Sequence, residues 1–109
     1  MLDAARLASN FARGRQRTDL DSDVMFQFAL IRAVEIIGEA ASRLPEPTRV
    51  AHPEVPWPAI IGMRNRLAHG YFDVDLNVLW TTVVAHVPAL IATLEAILAP
   101  EDPAPPRSP

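Results

Sequence analysis

Eight consecutive residues, Arg64 to Tyr71, contain side chains of the types that can break an RNA phosphodiester bond without a metal ion. Such a reaction needs a base for the ribose 2′-hydroxyl, an acid for the departing 5′-oxygen and positive charge beside the phosphorane between them. Histidine, whose ordinary pKa is about 6.5, can act as either proton-transfer group near neutral pH, and arginine binds phosphoryl oxygens through its planar guanidinium. Arg64 and His69 therefore supply one group of each kind.

The spacing of these residues limits how they can meet. On an unbroken helix Asn65 and His69 lie on one face as an i, i+4 pair, whereas Arg64 and His69 are roughly 140° apart around the axis. Arg64 and His69 of one chain can meet if the helix ends near Ala68, which Gly70 makes possible. Alternatively, the Arg and the His that act together come from two chains. A symmetric dimer would also bring two copies of His69 to one cleft, one as acid and one as base.

A structural interpretation competes with the chemical one. An Arg and a His at this spacing occur often by chance, so His69 could interact with a helix dipole and Arg64 could be a solvated surface residue. Spacing alone favours this second interpretation. His52 and His86 lack a carboxylate or second histidine at metal-ligand spacing, so we interpret them as surface or helix-cap residues and predict no metal site.

The composition predicts one compact domain. The chain has 109 residues, 50% of them hydrophobic, which is enough for a single core. It contains no cysteine, which excludes disulfides and thiol chemistry and suits a reducing cytosol. The start, Met1 to Arg6, does not resemble a signal peptide, so we expect a cytoplasmic protein. Because the net charge is −3, an RNA site would have to be local, although all ten basic residues are arginine.

The hydrophobic periodicity predicts an all-α fold. Helix one is expected from Leu2 to about Arg13, and helix two from about Asp21 to Leu44. Apolar residues cover most of helix two, so more than one neighbour is needed to cover it; other helices would cover part, and a second subunit covering the rest is a reasonable hypothesis but not a necessity. Gly38 is interpreted as the point at which another helix crosses helix two closely. A polar line on the same helix is interpreted as salt-bridged pairs; it consists of Arg32, Glu35, Glu39 and Arg43.

Prolines and glycines divide the second half of the chain. Five prolines in the fourteen residues from Pro45 to Pro58 predict a loop with one turn around Thr48. Helix three is expected from Pro58 to about His69, with Gly70 as its stop. Helix four is expected to begin at an Asp75 cap, to end near Leu98 and to be kinked or split at Pro88.

Helix four is also apolar enough that a transmembrane helix has to be considered. Leu76 to Leu94 contains no Asp, Glu, Lys or Arg and has the length to span a bilayer. Polar residues interrupt it, however, and its large apolar residues recur at the spacing of one buried face, so we predict a core helix. Trp57 and Trp80 are predicted to be core residues as well. The proline-rich tail, residues 99–109, is predicted to be disordered.

Taken together, these segments resemble the HepT family of HEPN-domain toxins, from about Leu2 to Leu98. The family signature is Arg, a polar residue, three further positions, His, one position and Tyr, and it is met here without departure by Arg64, Asn65, His69 and Tyr71. The resembling segments are Leu2–Arg6, Ile36–Ala40, Pro56–Trp57, Ile61–Tyr71, Val74–Leu76 and Trp80.

The resemblance implies a HEPN-type up-down bundle of four to five helices over residues 1–98, forming a symmetric homodimer. It implies a metal-independent endoribonuclease that cleaves tRNA or mRNA, the toxin of a toxin–antitoxin pair. Arg64 would then hold the phosphate and stabilise the transition state, His69 would transfer protons, and Asn65 would orient His69 or the substrate.

The resemblance also implies a partner, a minimal nucleotidyltransferase antitoxin that transfers AMP from ATP to the motif tyrosine, which by position is Tyr71. No cofactor is implied for this chain, since ATP is the partner's substrate. The alternative hypothesis is a non-catalytic helical binding subunit of a nucleotidyltransferase complex.

Overall fold

The computed structural model describes residues 1–69 and 75–98, apart from the side chains of Ala68 and His69. These residues contain six helices and no strand, which confirms the predicted all-α bundle. Four helices are long, as predicted, and two are short. The predicted disorder of residues 99–109 concerns residues outside those described. The helices are α1 (Leu2–Ala12), α2 (Asp19–Ser22), α3 (Val24–Ser42), α4 (Glu46–Val50), α5 (Trp57–His69) and α6 (Leu76–Leu98).

Helix α3 begins later than the sequence pattern indicated. The carboxylate of Asp23 accepts a hydrogen bond of 3.0 Å from the backbone N–H of Phe26, and the extended backbone at Asp23 (φ −121°, ψ 99°) separates α3 from α2. The Phe26 N–H and the guanidinium of Arg15 hold the pKa of Asp23 below its usual range. The predicted start near Asp21 is therefore wrong, because that residue belongs to α2 and Asp23 is the cap.

Helix α6 passes Pro88 without being split. Proline has no N–H to give to the carbonyl of Val84, and its ring would collide with that carbonyl in a regular α-helix. The helix widens instead into a π-helical turn over Thr82–His86, in which the N–H of Val87 donates to the carbonyl of Thr82. The predicted disturbance at Pro88 thus takes the form of a wider turn rather than two helices.

The core lies between α3 and its neighbours. Helix α3 packs against α1 on one side and α5 on the other, and α1 also packs against α6. Three small residues of α1, Ala4, Ala5 and Ala8, are buried and allow its neighbours to approach closely. The largest fully buried side chains are Leu20, Leu30, Val34, Ile37, Val55, Ile60, Leu67, Leu79, Val83, Val87 and Leu90.

By length and composition, α6 could cross a membrane. Its most apolar window has a mean hydropathy of 1.7, and 33% of that window is buried inside the chain. The buried apolar side chains recur every three or four residues, so they form one face that packs in the core, as predicted. They are Leu79, Val83, Val87, Leu90 and Leu94.

The wide apolar surface predicted for α3 is divided between the core and solvent. The residues facing α1 and α5 are buried, whereas a second face of the helix remains exposed in the single chain. Met25 is 83% exposed, Phe28 61% and Ile36 40%. Arg32, whose side chain is 71% exposed, lies on the same side of the helix. Exposed apolar residues grouped in this way are typical of a surface that binds another protein.

Candidate active site

Helix α5 carries the first residues of the signature, and its packing fixes their direction. Ile60, Met63 and Leu67 are buried on the inner side of the helix. The indole N–H of Trp57 donates to the carbonyl of His52 at 3.0 Å and anchors the start of the helix. With these groups facing inward, Arg64 lies beside α3 and is half-buried.

Gly38 brings α3 and α5 into close contact at Arg64. A Cβ atom at position 38 would lie 3.1 Å from the carbonyl oxygen of Ile60 and would overlap the Cβ of Arg64. Only glycine therefore permits this approach of the two helices. The predicted close crossing at Gly38 is confirmed, and the structure adds that the residue on the other side is Arg64.

The guanidinium of Arg64 is held by two side chains. Its Nη2 donates to Oε2 of Glu39 on α3, and its Nη1 donates to Oδ1 of Asn65 at 3.0 Å. Oε1 of Glu39 accepts a second hydrogen bond, of 2.9 Å, from Arg43. The pair of Glu39 with Arg43 was predicted from the i, i+4 spacing. The hydrogen bond between Glu39 and Arg64 was not predicted, because it joins residues that are 25 positions apart in the sequence.

The charges of this cluster stabilise the ionised carboxylate. The hydrogen bond from Arg64 lowers the pKa of Glu39 below its usual range, and the positive charges of Arg64 and Arg43 act in the same direction. Two guanidinium groups around one carboxylate leave a net positive charge. The chain as a whole is negative, so this cluster is the kind of local cationic site that an RNA phosphate requires.

A groove of about 520 Å³ opens beside the cluster. Its polar lining consists of three arginines and two glutamates, and Arg32 and Glu35 form a separate ion pair of 3.0 Å within it. Arg64 lies in its wall and keeps 31% of its side chain exposed, so an anion in the groove can reach it. The lining residues are Arg32, Glu35, Ile36, Glu39, Ala40, Arg43 and Arg64.

The structure describes only part of the four-residue signature. Arg64 and Asn65 are in contact, and positions 65 and 69 lie one turn apart on the same side of α5. Helix α5 continues through His69, so it does not end at Ala68, and the separation of Arg64 from His69 around the axis remains. The side chain of His69 and all of Tyr71 lie outside the described residues.

Other residues singled out in the sequence have structural roles. Trp57 is buried, and Trp80 packs edge-on against Phe26 with ring centroids 6.4 Å apart, as predicted for core residues. His52 lies 3.3 Å from Glu54, and His86 is half-buried in a second groove. Among the described side chains, no three His, Asp or Glu residues are grouped so that they could hold a metal ion.

The fold and the site define a class of protein: a small helical domain with an arginine-centred polar cluster at the surface of one helix. Comparison with known proteins identifies the family within that class. The model of the HepT-like ribonuclease family, described as "Ribonuclease HepT-like", matches residues 1–97. The chain therefore belongs to the HepT-like ribonucleases, and the resemblance inferred from the signature is confirmed.

Individual relatives support the same assignment. The chain is 42% identical over 95 residues to "Probable ribonuclease HepT" of Thermococcus cleftensis, covering 87% of this chain and 86% of the relative. It is 38% identical over 89 residues to "Putative RNase TTE0752" of Caldanaerobacter subterraneus subsp. tengcongensis, covering 82% and 80%. No solved structure was found that matches this chain.

Proposed function

We propose that this chain is a metal-independent endoribonuclease of the cytoplasm and the toxin of a toxin–antitoxin pair. The observation that carries the proposal is the guanidinium of Arg64, held by Glu39 and Asn65 in the wall of an open groove, in a chain of the HepT-like ribonuclease family. An oriented guanidinium is suited to bind the oxygens of a phosphodiester and to stabilise the charge of its transition state.

In the proposed reaction, the ribose 2′-oxygen attacks phosphorus and the bond from phosphorus to the 5′-oxygen breaks. One imidazole takes the proton of the 2′-hydroxyl, and a second imidazole, protonated, gives a proton to the departing 5′-oxygen. The products are a 2′,3′-cyclic phosphate and a 5′-hydroxyl. Arg64 binds the non-bridging oxygens throughout, His69 supplies the imidazole, and Asn65 orients His69 or the substrate.

Two chains are proposed to form the complete site. The reaction needs two imidazoles and each chain supplies one His69, and positions 64 and 69 lie on different sides of α5. The exposed apolar face of α3 includes Ile36, which also lines the groove. A dimer formed through this face would bury the apolar residues and place the two grooves next to each other.

The dimer is tested by placing charges on the exposed face. The double variant Met25→Glu/Phe28→Glu is expected to be monomeric, because buried carboxylates at the interface would lack partners. Wild-type protein is expected to sediment at twice the chain mass of 12.0 kDa. RNA cleavage by the double variant is expected to fall about 100-fold, since each half-site would lack its partner.

The control is Val50→Glu, which puts one carboxylate on an exposed apolar residue of α4, away from the exposed face of α3. It should remain dimeric and active. A monomeric wild-type chain, or a monomeric double variant that cleaves RNA at the wild-type rate, would exclude the two-chain site.

Metal independence is tested directly. Purified wild-type protein incubated with total RNA in excess EDTA is expected to cleave it and to leave ends with 2′,3′-cyclic phosphate. The same preparation of Arg64→Ala controls for contaminating nucleases. Cleavage that begins only after a divalent cation is added would contradict the proposed mechanism.

The proposed partner is a minimal nucleotidyltransferase encoded beside this chain. It transfers AMP from ATP to the phenolic oxygen of Tyr71, releasing pyrophosphate. The added phosphodiester is negatively charged and two residues from His69 in sequence, so it would repel RNA phosphate and obstruct the groove. Modification of Tyr71 would thereby neutralise the toxin.

A further inference from the structure

We propose that Glu39 is a positioning residue of this ribonuclease, which holds the guanidinium of Arg64 in the orientation that binds the scissile phosphate. The inference rests on the proposed function of Arg64 and extends it to a second helix. Glu39 does not belong to the signature, and its carboxylate does not need to contact the RNA. Its effect would be exerted through Arg64 alone.

The first step of the argument is the close contact of the two helix backbones. Gly38 lies against the Cβ and Cγ of Arg64, which restricts the base of the arginine side chain. The next residue on α3 is Glu39, whose carboxylate meets the end of the same side chain. Arg64 is therefore constrained at both ends by two consecutive residues of α3.

The second step is the number of donors that remain. Arginine has five N–H groups. Glu39 and Asn65 each accept from one of the two terminal nitrogens of Arg64, which leaves three N–H groups for a ligand. The guanidinium can thus be held by Glu39 and still bind a phosphate, and its exposed part faces the groove.

The third step compares two glutamates on one helix. Glu35 lines the same groove as Glu39 but pairs with Arg32, whereas Glu39 pairs with Arg43 and Arg64. Removing either one deletes the same negative charge from the same groove. Only the removal of Glu39 releases Arg64, so Glu35 is a matched control for the general electrostatic effect.

The test measures kcat and KM separately for RNA cleavage. Glu39→Ala is expected to lower kcat about 10- to 100-fold, because a misplaced catalytic group loses a factor of this size. KM should stay the same or fall, since a negative charge has left the groove. Glu39→Gln keeps an oxygen that can accept from Arg64, so it should recover part of the loss. Glu35→Ala should lower kcat clearly less than Glu39→Ala does, because Arg64 keeps both of its partners in the Glu35 variant.

A double-mutant cycle shows whether Glu39 acts through Arg64. Adding Glu39→Ala to Arg64→Ala should cause no further loss of kcat. Equal kcat for Glu39→Ala and Glu35→Ala, or independent losses in the cycle, would overturn the positioning role. A merely structural role would lower the melting temperature of Glu39→Ala and leave the kcat of the folded fraction unchanged, which also overturns it.

These outcomes separate the inference from the function on which it rests. If Arg64→Ala cleaves RNA as fast as the wild type, the proposed function and the positioning role both fail. If Arg64→Ala is inactive while Glu39→Ala matches Glu35→Ala, only the positioning role fails.

Discussion

Replacement of Arg64 or His69 by alanine is expected to reduce RNA cleavage by a factor of about 100 to 10,000, the range typical for loss of an acid–base group or a transition-state donor. Without Arg64 the charge that develops on the phosphorane has no guanidinium to stabilise it. Without His69 no imidazole is available for either proton transfer. The measurement is the initial rate of cleavage of a labelled RNA in EDTA, with the circular dichroism spectrum as a check on folding.

The chain contains a matched control for each of these substitutions. Arg66 is exposed and lines a different groove from Arg64, although it is on the same helix. His52 lies in the loop before α5. Arg66→Ala and His52→Ala should therefore cleave RNA within a few-fold of the wild type. The hypothesis fails if Arg64→Ala and Arg66→Ala lose activity equally, because the loss would then reflect general phosphate binding.

The same substitutions have an expected result in cells. Expression of the wild-type chain without the proposed antitoxin should stop growth, and Arg64→Ala or His69→Ala should restore growth at equal protein level. Growth arrest by both inactive variants would show that toxicity does not depend on cleavage.

Tyr71→Phe is expected to abolish the transfer of AMP to this chain. The chain has a single tyrosine, and phenylalanine lacks the phenolic oxygen that would attack the α-phosphorus of ATP in the proposed reaction. The experiment incubates the purified chain with ATP, magnesium and the proposed nucleotidyltransferase partner and reads the intact mass. Wild-type protein should gain the mass of AMP and stop cleaving RNA, whereas Tyr71→Phe should gain none and keep cleaving.

Seryl and threonyl hydroxyl groups are the other acceptors to be controlled. Thr81 is exposed near the start of α6, so Thr81→Val should be modified as fully as the wild type. Equal AMP incorporation into Tyr71→Phe and the wild type would rule out Tyr71 as the acceptor. A Tyr71→Phe chain that the partner still neutralises without modification would point to inhibition by binding.

Local sequence signals were sufficient for most of the helices. Gly14, with φ of 74°, follows the end of α1, and Asp75 caps α6 by accepting hydrogen bonds from the N–H groups of Asn77 and Val78. These features depend on residues within one turn of each other, so periodicity and capping rules predict them. The start of α3 was misplaced because several Asp residues precede it, and sequence does not tell which one is the cap.

The candidate site could be predicted only in part from the sequence, and the reason is physical. The signature gave Arg64 and Asn65, and Gly38 indicated that some helix crosses α3 closely. Glu39 already had a local partner in Arg43, so nothing in the sequence required another. Its bond to Arg64 depends on how two helices pack, and a pattern within a single helix does not contain that information.

The π-helical turn of α6 has a consequence for changes in chain length. A π-helical turn holds one more residue than the α-helical turn it replaces. The extra position falls in a stretch that includes the exposed residues Val84 and Ala85. A homologue that lacks one residue here could join the same two buried halves of the helix by a regular α-helix. Deletion of a single residue at this turn is therefore expected to leave both buried halves of α6 in place.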